Sequence, residues 1–157
     1  MQLDSLAVIR QRDREDALGV IIHSYEQLSF DAVIHNDHAS KITPQNVVLS
    51  GMGGSALAGL MAIRWFRHDY NLAVPFEVSR EYTVPEYVNK HSLVIVFSVS
   101  GNTEETLSSL DDALEKGAHI IVVTSGGKLL ERAQRDNLPY IQLDKISPPR
   151  YGIFMHL

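Results

Sequence analysis

The sequence predicts a doubly wound α/β fold: a sheet of five parallel strands in the order 2-1-3-4-5, preceded by N-terminal helices. Three observations carry this expectation. Apolar runs of strand length alternate with stretches of helical periodicity from about residue 46 onward, the pattern of strand–helix units. Two of the runs, Leu93–Phe97 and His119–Thr124, read as strands buried on both faces, as in a parallel sheet. Two short polar loops, each rich in hydroxyls, follow a strand and open a helix.

The elements follow in order. Leu3, Leu6 and Ile9, then Leu18, Ile21, Ile22, Tyr25 and Leu28, recur at helical spacing, giving two helices with a boundary near residues 12–16. Thr43-Pro44-Gln45 punctuates the entry to the first strand, Asn46–Ser50. A helix runs from Gly54 to about His68 with Leu57, Leu60, Met61 and Trp65 on one face. Phe76–Ser79 is a short second strand, and Arg80–His91 reads as loop. The third strand is Leu93–Phe97. Asn102, three residues before Glu105, reads as a capping box for a helix ending at Gly117. The fourth strand is His119–Thr124, Lys128–Asp136 a short helix, and Tyr140–Leu143 the last strand.

Composition narrows the function classes. The chain has 157 residues, enough for one domain with its own core. Its net charge is −5 and no basic run occurs, which argues against nucleic acid or an anionic membrane as partner. Cysteine is absent, so thiol catalysis and thiolate metal sites are excluded, and a cytoplasmic setting is expected. The organisation expected is N-terminal helices over residues 1–40 packed on a domain over 41–150. An apolar tail over 151–157 is expected to be a truncation point or a link to a second domain, or to lie under a partner.

The loops carry the chemistry. Gly51-Met52-Gly53-Gly54-Ser55 follows the first strand, and Ser98-Val99-Ser100-Gly101-Asn102-Thr103 follows the third. In a 2-1-3-4-5 order those strands are neighbours, and ligands bind in the crevice at their carboxyl ends. Amides at a helix start favour anions, and glycines let the backbone approach them closely. Hydroxyls donate charge-assisted bonds to phosphate oxygens. The candidate cradle is Gly53, Gly54 and Ser55 from one loop and Ser98, Ser100, Gly101, Asn102 and Thr103 from the other. A dinucleotide site is the rival reading. Gly51-x-Gly53-x-x-Ala56 fits that fingerprint, with Glu77 as the ribose acid. The second loop favours a compact phosphate instead.

These residues match a known pattern. The GMGGS loop, the Ser98–Thr106 segment SVSGNTEET and the pair Pro149-Arg150 resemble the sugar isomerase (SIS) domains, with their flavodoxin-like sheet. More narrowly, they resemble the N-terminal half of the bifunctional phosphoglucose/phosphomannose isomerases. The resemblance covers about residues 46–150. It implies interconversion of glucose 6-phosphate or mannose 6-phosphate with fructose 6-phosphate, with no metal or redox cofactor. It places Gly54, Ser55, Ser98, Ser100 and Thr103 on the sugar phosphate and Arg150 beside the reacting carbons. It also implies a second SIS domain, carrying the catalytic base, the ring-opening histidine and a lysine. A homodimer or that second domain is the expected partner. A non-catalytic phosphosugar sensor is the alternative.

Overall fold

The computed structural model describes residues 5–37, 43–69 and 73–144. In chain order the elements are helices α1 (Leu6–Arg12) and α2 (Ala17–Ile22), a 3-10 turn (Ser24–Ser29), and strands β1 (Ile34–His35) and β2 (Asn46–Gly51). Helix α3 (Gly53–Asp69), β3 (Phe76–Ser79), β4 (Ser92–Phe97), α4 (Glu104–Glu115), β5 (His119–Thr124), α5 (Gly127–Arg135) and β6 (Tyr140–Gln142) follow.

The sheet has six strands in the order β1-β6-β5-β4-β2-β3. Strands β2 to β6 are parallel. The five-strand expectation is corrected by β1, which adds antiparallel to β6 through Ile34–Ile141 and His35–Tyr140. His35 stacks on Tyr140 with ring centroids 4.8 Å apart. A two-residue strand shows no alternation, so periodicity could not reveal it.

Successive residues of each strand point to opposite faces, and both faces are apolar. On one face Val48, Val94, Val96, Ile120 and Val122 pack with Leu110 and Ala113 of α4 and Leu129 and Ala133 of α5. On the other, Leu49 and Phe97 pack with Ala58 of α3, joined by the partly buried Ile95, Val123, Ile141 and Phe30. The loop at Arg80–His91 contributes more than its sequence suggests. Val84 and Val88 are buried in the first cluster. Among the described residues, none in α1 or α2 is buried; Phe30 is the N-terminal residue that meets the core.

Candidate phosphate-binding site

Strands β2 and β4 pair directly, with Gly51 opposite Phe97 at their carboxyl ends. Both loops therefore leave the sheet side by side. One rises into α3 and the other into α4, which lie on opposite faces.

The first loop supplies backbone donors. Gly53 has φ +53° and opens α3, a helix of 17 residues. The Ser55 and Ala56 N–H groups donate to the Met52 carbonyl at 3.1 and 3.4 Å, which leaves those of Gly53 and Gly54 at the open end of the helix. No acidic residue occupies that first turn, so the positive end of the helix keeps its field. Gly53 is exposed, Gly54 half-buried and Ser55 buried. Helix α4 differs, because Glu104 and Glu105 occupy its first turn.

The second loop supplies hydroxyls. Ser98 is buried at 3% exposure, and its Oγ is the hub of the loop. It lies 2.9 Å from Thr103 Oγ1 and 3.4 Å from Ser100 Oγ, and accepts the Gly101 N–H at 3.1 Å. Each hydroxyl has one proton and two lone pairs, so this trio can rotate its protons outward onto a bound oxyanion. Ser100 is exposed and Thr103 half-buried, so both border solvent.

The capping box is corrected. The N-cap of α4 is Thr103, one residue later than Asn102, and no side chain caps the helix. The Thr103 hydroxyl turns to Ser98 instead. The Asn102 side chain faces elsewhere: its Nδ2 donates to the Ser100 carbonyl at 3.1 Å, and its Oδ1 accepts the Lys128 N–H at 3.2 Å.

That last bond exposes a third loop, Ser125–Lys128, which sequence reasoning passed over. It buttresses the hydroxyl loop. Ser125 Oγ donates to the Val99 carbonyl at 2.6 Å, and the Leu129 N–H donates to the Gly101 carbonyl at 2.9 Å. The contact is too close for side chains. At Gly101, with φ +67°, a Cβ would stand 1.7 Å from the Gly126 carbonyl oxygen. At Gly127, with φ +69°, it would stand 2.5 Å from the Ser100 carbonyl oxygen. The available signal was Gly126-Gly127 between a buried strand and a helix, the same arrangement that marked the first loop.

Glu77 does not stand where a ribose would need it. It pairs with Val48 within β3, two residues short of the strand's carboxyl end at Ser79. Its carboxylate accepts the Tyr87 hydroxyl at 2.7 Å. Loss of solvent around Tyr87, and then this bond, push the phenol up to about 12. Arg150 lies outside the described residues.

Known proteins are similar to this chain in sequence and in fold. The sequence matches the SIS domain family over residues 42–147. It is 36% identical over 140 residues to the bifunctional phosphoglucose/phosphomannose isomerase of Aquifex aeolicus, covering 88% of this chain and 42% of that enzyme. It is 47% identical over 107 residues to the enzyme of the same name from Caldicellulosiruptor bescii, covering 68% of this chain and 31% of that enzyme. In fold it is similar to tagatose-6-phosphate ketose/aldose isomerase from Escherichia coli, with a TM-score of 0.56 and 21% identity. That match covers 94% of this chain and 41% of the other. The chain thus spans less than half the length of each.

Proposed function

Because this chain belongs to the SIS domain family, we propose that it forms the phosphate-binding half of an aldose–ketose isomerase acting on glucose 6-phosphate or mannose 6-phosphate to give fructose 6-phosphate. The observation that carries this reading is the hydroxyl trio Ser98–Ser100–Thr103 beside the acid-free start of α3. Gly53, Gly54 and Ser55 offer the phosphate amides and a hydroxyl. Ser98, Ser100 and Thr103 offer hydroxyls, and Gly101 and Asn102 shape the loop that carries them.

The reaction moves one proton from C2 to C1 and one from the C2 hydroxyl to the C1 oxygen, through a cis-enediol. The electrons stay within the sugar, so the reaction needs no external oxidant or reductant. Anchoring the phosphate fixes the reacting carbons at a distance, converting binding energy into orientation. Arg150 would steady the enediolate oxygen. The transfer also needs a positioned base, and a second SIS domain or a second copy of the chain would supply it. We place this activity in the cytoplasm.

Calorimetry tests the reading. Fructose 6-phosphate is expected to bind with micromolar to millimolar affinity, and the double substitution Ser98→Ala/Thr103→Ala to abolish binding. Tight NADH binding without sugar-phosphate binding would restore the dinucleotide alternative. A coupled isomerase assay then separates the enzyme from a sensor, which would bind without turnover.

A further inference from the structure

Three hydroxyls lie buried where α4 packs over β4 and β2. Ser50 of β2 is 1% exposed, Ser109 of α4 is 0%, and Thr106, one turn earlier in the same helix, is 1%. Ser50 Oγ and Ser109 Oγ are hydrogen-bonded to each other. Ser109 Oγ also donates to the Thr106 carbonyl at 3.1 Å. A hydroxyl has one proton, so Ser109 accepts from Ser50, and the strand is tied through it to the backbone of the helix. Thr106 Oγ1 is buried without a partner among the described residues. The rest of this interface is aliphatic, built of Val48, Val94, Val96, Leu110 and Ala113.

The Ser50–Ser109 bond joins the two elements that carry the phosphate loops. Ser50 is followed by Gly51, where the first loop leaves β2. Ser109 belongs to the helix that the second loop opens at Thr103. The roots of the loops are in contact: a Cβ on Gly51 would stand 2.8 Å from the carbonyl oxygen of Phe97, the residue before Ser98. Apolar packing is non-directional, whereas a hydrogen bond weakens steeply as distance and angle change. A buried neutral pair contributes little to stability over an apolar pair of the same shape. Its directionality is what the aliphatic side chains around it do not supply.

We propose that Ser50 and Ser109 are positioning residues of the phosphate site: their bond sets the spacing of the two loops, and neither touches the ligand. The inference rests on the phosphosugar reading above. A phosphate held from two sides gains from both sets of donors only when they reach it together, so a displaced helix is felt as lost affinity.

Calorimetry with fructose 6-phosphate, paired with urea midpoints, tests this on Ser50→Ala, Ser109→Ala, the double variant Ser50→Ala/Ser109→Ala and Ile120→Ala. Ile120 is buried in the same aliphatic cluster but lies on β5, outside both loops. Ser109→Ala is expected to lose stability, because it strands the Ser50 hydroxyl, and the double variant to regain most of it. Affinity is expected to fall about fivefold in all three serine variants, the worth of roughly one neutral hydrogen bond. Ile120→Ala is expected to stay within about twofold of normal affinity although its urea midpoint falls. If Ser109→Ala compromises folding, Ser50→Ala, which keeps the bond from Ser109 to the Thr106 carbonyl, carries the same expectation. Normal affinity in the double variant overturns the positioning role and leaves the phosphate site standing. Equal weakening in Ile120→Ala overturns it as well, because affinity would then follow stability. If the unmodified chain binds no fructose 6-phosphate, the phosphosugar reading falls and the positioning role with it.

Discussion

Gly101 is the residue on which the hydroxyl loop turns. It combines a left-handed backbone with the absence of any room for a side chain. Gly101→Ala is expected to destabilise the fold by at least about 2 kcal/mol, read as a shift in the urea midpoint. Asn102 joins Ser100 to the start of α5 through both ends of its amide. Asn102→Asp keeps the acceptor for Lys128 and loses the donor to Ser100, whereas Asn102→Ala loses both. Hydrogen exchange at Lys128 is therefore expected to accelerate more in the alanine variant than in the aspartate variant. Equal acceleration would mean that the Lys128 bond contributes nothing. The residue types of this loop were legible in the sequence, because serine, glycine and threonine after an apolar strand have few structural reasons to cluster. The partner of Asn102 was not. A side chain that bonds 26 residues away leaves no local pattern, and the capping-box spacing to Glu105 offered a nearer, incorrect one.

At the level of elements, α4 and α5 end in the same way. The Ala118 N–H donates to the Ala113 carbonyl and the Gly117 N–H to the Leu114 carbonyl. Leu138 and Asn137 repeat the pair on Ala133 and Gln134. Gly117 takes the left-handed position in the first ending at φ +70°, and Asn137 takes it in the second at φ +53°. The C-cap of α5 is Asp136, a carboxylate at the negative end of a helix. Hydrogen bonds from Arg135 and then Arg132 hold its carboxyl down to about 2, from an ordinary 3.8. A depressed folded value stabilises above the unfolded one, so this contribution is complete above about pH 4 and disappears as the pH falls toward 2. Thermal midpoints of Asp136→Asn are expected to vary less across that window than those of the unmodified chain. Parallel curves would show that the pair of arginines does not couple to folding. The strands were legible where apolar runs were long, as in β4 and β5. Strand β1 and the buried Val84 and Val88 were not, because two residues, or two isolated valines in a polar loop, carry no period.

For the molecule as a whole, the two faces of the sheet are unequal. Helices α4 and α5 bury their apolar stripes against one face. Helix α3 keeps Leu57, Leu60, Met61 and Trp65 exposed beside β3. Exposed apolar surface is where a partner is expected, and a second SIS domain or a second copy is the cover that the proposed function calls for. Sedimentation is expected to show concentration-dependent association that Trp65→Glu weakens; a clean monomer at all concentrations would contradict it. The switch-point reading rests on one of the two common doubly wound orders, and β2 and β4 do pair directly. The buttressing Ser125–Lys128 loop became visible only once the fold brought it against Gly101. The central claim is that two loops, with Gly53 and Gly101 48 residues apart in sequence and their strands adjacent in space, make one anion site. An amide-resolved nuclear magnetic resonance titration with fructose 6-phosphate tests it most directly. The account predicts that Gly53, Gly54 and Ser55 shift together with Gly101, Asn102 and Thr103 on a single saturation curve. Movement of one loop alone, or of the two on curves with different midpoints, would contradict it.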